Sequence, residues 1–182
     1  MDLLGIPSAV WLPIATLILG GVLTAFFDAQ KDRRALDRER EARKDQRSDT
    51  LLLKRIEFQR DTLLALQDAI ASFGRFTGQM HLHDEQVFRE TKEWGKSQLG
   101  EEISNGAFAA NVLLDKLRVR VDDDTIREQT SRFRLLCLAV GEARSESTST
   151  GALNEAMAVM APLHERIGEV LRNLDKDEEA VA

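Results

Sequence analysis

From Leu3 to Phe27 the chain carries no charged side chain, and from Asp28 onward charges crowd in. That contrast constrains the fold more than any other feature. The most apolar part is Ala9 to Phe27, AVWLPIATLILGGVLTAFF. At about 1.5 Å per residue, nineteen helical residues reach roughly 28 Å, close to the roughly 30 Å hydrocarbon layer of a bilayer. A buried helix of a water-soluble domain would carry a polar stripe at this length, and this segment has none. The pattern predicts a transmembrane helix over residues 9–27, after a short external N-terminus, residues 1–8. Pro13 lies near the N-terminal end of the span, where a lost backbone hydrogen bond is easiest to accommodate. A cleaved signal peptide is disfavoured. The only charged residue before the apolar run is Asp2, with no Lys or Arg, the run is too long, and Phe26-Phe27-Asp28 is a poor cleavage site.

The flanks set the orientation. No Lys or Arg precedes the span, whereas Lys31, Arg33, Arg34, Arg38, Arg40, Arg43, Lys44 and Arg47 follow it. Basic residues beside a span stay on the cytoplasmic side. The expected location is the cell (plasma) membrane, single-pass, with the N-terminus outside and the C-terminal domain in the cytoplasm. Within the span Thr16, Gly20 and Thr24 recur at helical spacing, a small-residue face suited to helix–helix contact in the membrane.

Residues 28–50 form a charged neck with no Gly or Pro. Glu39–Arg43 has favourable i, i+4 spacing, and Asp37–Arg40 an i, i+3 spacing. A helix of twenty-three residues would span about 34 Å. From Lys31 to Arg47 the eight basic residues are interleaved with five acidic ones, which argues for a solvated spacer over a lipid-binding polybasic stretch.

At Leu52 the pattern turns amphipathic. Leu52, Ile56, Gln59, Leu63, Leu66, Ile70 and Phe73 alternate spacings of four and three, a coiled-coil-like seam polar only at Gln59. Leu53, Leu64 and Phe76 widen that face, and Gly74 and Gly78 point to a helix end near residues 74–80. Asp84 could cap a short helix before Gly95 and Gly100. A further helix is expected from about Glu101 to Arg118, with Ile103, Phe108, Val112, Leu113 and Leu117 inward. Val119-Arg-Val reads as an extended link. Thr125 and Glu128 have capping-box spacing for the next helix, which carries Ile126, Phe133, Leu136, Cys137 and Val140. Ser145 to Gly151 reads as a polar loop. The last helix is expected from about Ala152 to Leu174, with Pro162 a possible kink. The tail, 175–182, is acidic and expected to be disordered. The fold class is therefore all-α: one span, a helical neck, and a three- to four-helix antiparallel bundle over residues 51–174.

Charge and composition narrow the functional classes. The first fifty residues carry eight charges of each sign, so the net charge of −6 falls on residues 51–182, a poor surface for nucleic acid. A single cysteine, Cys137, excludes an internal disulfide and a cysteine-based zinc site. His81 and His83 would need a distant third ligand such as His164 to hold a metal. Asp122–Asp124 lacks the EF-hand spacing and reads as helix capping. There is no phosphate-cradling loop and no catalytic constellation, so neither an enzyme nor a cofactor is expected. Trp94, in a charged stretch punctuated by glycine, is either a bundle anchor or a partner contact.

Several segments resemble small bacterial proteins of no assigned activity that have one N-terminal span and a cytoplasmic helical region. They are Arg60-Asp-Thr-Leu-Leu, Leu66-Gln-Asp, Trp94-Gly95, Leu117-Arg-Val-Arg-Val and Glu165-Arg-Ile-Gly-Glu. The resemblance covers residues 60–169 and implies no functional residues. Together these features suggest a membrane-anchored scaffold or protein-interaction module. Its partners would be the lipid bilayer, an unidentified protein, and a second copy met through the span or the 52–73 seam. The alternative is a membrane-tethered sensor or regulator that binds a small ligand or metal in the bundle.

Overall fold

The computed structural model describes the backbone of residues 8–95 and 98–181, with side chains at 17, 20, 21, 27, 30, 31 and from 36 onward within those ranges. Four helices account for nearly all of it: α1 (Ser8–Thr91), α2 (Glu101–Arg118), α3 (Asp124–Glu142) and α4 (Glu146–Val181). No strand occurs among the described residues. The chain divides into two compact units, Met1–Leu51 and Leu52–Ala182.

In the first unit every described side chain from 36 to 51 is exposed. Helicity there rests on local pairs: Arg43 donates to Glu39 at 2.6 Å, and Arg40 lies 3.9 Å from Asp37. Among the described residues no helix is long and apolar enough to cross a membrane. Most side chains of the expected 9–27 span, including Thr16 and Thr24, lie outside the described residues. The described residues thus give the span no support.

The second unit is a four-helix bundle. The seam of α1 fills its centre: Ile56, Leu63, Leu66, Ile70 and Phe73 are buried, while Leu52 at its start is 42% exposed. Ala110, Leu114 and Leu117 of α2, Ile126, Phe133 and Cys137 of α3, and Ala156, Val159, Leu163 and Ile167 of α4 complete the core. Phe73 meets Phe133 edge-to-face with ring centres 6.3 Å apart. The seam is therefore filled from within the chain. Cross-links fix the helix directions. Gln59 meets Arg120 and His81 meets Ser149. Arg60 meets Asp175, and Asp123 meets Arg166. So α1 and α3 run one way, α2 and α4 the other, each neighbour antiparallel across a short connection.

Several boundaries differ from those expected of the sequence. Gly74 does not end α1. A Cβ there would sit 3.5 Å from Phe133 and 3.6 Å from the sulfur of Met160, so this glycine marks a close approach of α3 and α4. The helix continues through Asp84, which lies inside it and not at a helix start, and stops at Thr91. There the Thr91 hydroxyl donates to the Val87 carbonyl at 2.9 Å and accepts from the Glu93 amide at 3.2 Å. Lys92 then turns left-handed with φ 62°. In α2 the inward face matches the expected one only in part: Leu117 is buried as expected, whereas Phe108 is 70% exposed and Val112 and Leu113 are also exposed. Gly106 explains this. A side chain there would collide with the ring of Phe76 of α1, and Ala110, Leu114 and Leu117, further along α2, are buried in the core.

The N-cap of α3 is Asp123, not Thr125; its Oδ1 accepts from the Ile126 amide at 2.8 Å. Ser145 to Gly151 is not a loop. Ser145 Oγ accepts from the Thr148 amide at 3.3 Å and α4 starts at Glu146. The acidic tail is helical to Val181, with Asp175 and Glu178 both held by Arg60.

Candidate functional site

Polar side chains gather at both ends of the bundle, and two hollows lie on its flanks. At the end where α2 passes into α3, the chain from 119 to 123 exposes backbone groups that no helix satisfies. Gln59 reaches them from α1: its amide nitrogen donates to the Arg120 carbonyl at 2.9 Å, and its oxygen accepts from the Asp122 amide at 3.1 Å. Arg127 donates to the Val121 carbonyl at 2.6 Å. Arg55 pairs with Asp122 at 2.7 Å, and Arg166 pairs with Asp123 at 2.7 Å. Burial raises the Asp123 pKa, but the Ile126 amide and the Arg166 guanidinium outweigh it and hold the carboxyl below its ordinary value. Asp124 is taken by Arg127. All three aspartates of this run are therefore engaged by arginines, and two brace the entry to α3.

At the other end, His81 is buried, with Nδ1 2.8 Å from the hydroxyl of Ser149. Ser149 is fully buried, and its hydroxyl also lies 3.5 Å from the Val140 carbonyl. One hydroxyl proton serves both contacts only if His81 donates from Nδ1 and Ser149 donates onward to Val140. Trp94 closes this end. Its indole nitrogen donates to the Ala143 carbonyl at 3.1 Å, and its ring packs 5.9 Å from His81 and 5.7 Å from Phe88. The structure thus places Trp94 in the packing of the bundle itself. His83 faces elsewhere, its Nε2 3.2 Å from the Gln98 carbonyl, and His164 lies on α4. Among the described residues no three His, Cys, Asp or Glu side chains gather as metal ligands. Gly20, of the expected membrane contact face, is an exposed residue of α1.

The first hollow, about 290 Å³, lies between α1, α2 and α3, with Phe73, Met80, Phe108 and Leu138 as apolar walls. Cys137 is at its base. Burial pushes the thiol up to about 11, against a smaller opposing effect of the Thr77 hydroxyl, so it stays protonated near neutrality. The second, about 520 Å³, is an open groove between α3 and α4, lined by Gln129, Arg132, Glu155, Ala158, Val159 and Pro162.

The sequence does not single out Arg132 or Glu155, and it places Phe108 inward where the structure has it exposed. The one available signal for the groove is Pro162, which reads from the sequence as a kink. Comparison with known protein families, curated proteins and solved structures finds no match.

Proposed function

We propose that this chain is a membrane-anchored helical protein whose bundle serves as a protein-interaction module at the cytoplasmic face. The observation that carries the interaction part is Phe108. Its ring is 70% exposed on a bundle whose core is already filled, and Val112, also exposed, sits one helical turn further on. A large aromatic held out of a completed core is the kind of anchor that protein interfaces bury. The anchoring part rests on the uncharged stretch from Leu3 to Phe27 and on the eight basic residues that follow it.

Two experiments test it. A reporter fused to the C-terminus should be active only on the cytoplasmic side; activity outside would overturn the orientation. A photo-crosslinking residue at position 108 should give a discrete adduct with one protein, and the same residue at the exposed, charged position 128 should not. Adducts of equal yield at both positions, or none at 108, would remove the interface. A second reading, a tethered sensor for a small ligand, is favoured by the groove between α3 and α4.

A further inference from the structure

The groove between α3 and α4 has an ordered chemistry. The contacts at the two ends of the α3–α4 pair, Asp123 with Arg166 and Val140 with Ser149, set α3 antiparallel to α4. In that register Arg132 stands across from the Glu155–Ala158 turn, and Gln129 stands across from the Val159–Pro162 turn. Neither Arg132 nor Glu155 forms an ion pair or side-chain hydrogen bond among the described residues. One end of the groove therefore presents a cation and an anion, both unspent, from facing helices. Pro162 has no amide hydrogen, so the Ala158 carbonyl loses its ordinary helical partner and is left as an acceptor in the groove wall. The other end is apolar, with Val159 buried as its floor and the Pro162 ring beside it. Gln129 closes that end, and its Oε1 has no hydrogen-bond partner among the described residues.

We infer that this groove binds a free α-amino acid with an aliphatic side chain. The class follows from the layout. An α-amino acid carries a carboxylate and an ammonium on one carbon, with the side chain leading away from both. Arg132 matches the carboxylate through its planar fork of donors. Glu155 and the Ala158 carbonyl accept from the ammonium. Val159, Ala158 and Pro162 receive the side chain, and a hollow of about 520 Å³ is ample for one of leucine size. A simple anion would leave Glu155 repelling it, and a simple cation would leave Arg132 doing so. The inference is independent of the membrane anchor and of the Phe108 surface.

The test is calorimetric titration of the purified full-length chain in detergent with L-leucine, L-leucinamide and 4-methylpentanoate. Leucine should bind saturably. Leucinamide, which lacks the carboxylate, and 4-methylpentanoate, which lacks the ammonium, should each bind at least about tenfold more weakly, the effect of one lost charge-assisted pair. In Arg132→Gln, leucine and leucinamide should bind alike; in Glu155→Gln, leucine and 4-methylpentanoate should. Both positions are exposed, so circular dichroism should show each variant folded. Absence of leucine binding at about 10 mM, where even millimolar affinity would register, overturns the inference. So does binding that neither variant weakens.

Discussion

Gln59 is the only polar side chain in the α1 seam, and it is there because the α2–α3 connection has backbone groups to satisfy. Replacing it with Leu keeps the shape and strands the Arg120 carbonyl and the Asp122 amide. Gln59→Leu is expected to lower stability by about 1–3 kcal/mol in urea denaturation, the cost of leaving such groups unpaired. A variant as stable as the parent would mean that water reaches the connection freely. Asp123 carries a pH dependence of defined sign. Its folded pKa lies below the ordinary 3.8, so its contribution is present above that value and fades as pH falls through the folded value. Asp123→Asn keeps a capping side chain and loses the charge pairing with Arg166. Its deficit relative to the parent should therefore be clear at neutral pH and vanish in strong acid, as read from denaturation midpoints across the acid range. At Cys137 a thiol held protonated up to about 11 should react with a thiol reagent far more slowly in the native chain than in the unfolded one at mildly alkaline pH. Equal rates would show that the base of its hollow is open.

At the scale of helices, two glycines separate space from strain. A methyl group at Gly74 meets Phe133 and Met160 at ordinary contact distance, whereas one at Gly106 runs into the ring of Phe76. Gly74→Ala should stabilise the bundle by about 0.4–1 kcal/mol, through helix propensity and a less flexible unfolded chain. Gly106→Ala should destabilise it by roughly 1–3 kcal/mol, as overpacking does. Thermal and urea midpoints moving the same way in both variants would refute this account of α2. The same pair shows where reading the sequence worked. The seam from Ile56 to Phe73 was legible because heptad spacing is a long, redundant signal. The ends were not, because each depends on a single local choice. Gly74 looks like a stop until α3 and α4 are seen against it. Thr125 looks like a cap until Asp123, two residues earlier, takes the Ile126 amide. The inward face of α2 turned on Gly106, which has no side chain and so contributes nothing to a hydrophobic pattern. The groove was illegible for a related reason: Arg132 and Glu155 are ordinary surface charges until two helices set them opposite each other.

For the molecule as a whole, the two units differ in what holds them. Described residues 36–51 rely on local ion pairs and are exposed, while the second unit is closed by a shared apolar core. An exposed helix without tertiary packing opens locally at little cost. Limited trypsin digestion should therefore cut first among Arg38, Arg40, Arg43, Lys44 and Arg47 and leave a resistant fragment containing Leu52 to Val181. Early cuts within α3 or α4 would contradict the division. One contact across the second unit bears on how the protein is made. Arg60 finds its partners in Asp175 and Glu178, over a hundred residues later in the chain. At synthesis rates of about 5–20 residues per second, roughly 6–23 seconds pass before the part of α4 that Arg60 meets exists, and until then the apolar side of α1 stands uncovered. During that interval Leu63, Leu66, Ile70 and Phe73 present a continuous greasy strip to the cell, and chaperones that hold nascent chains have a target there that the finished protein no longer shows.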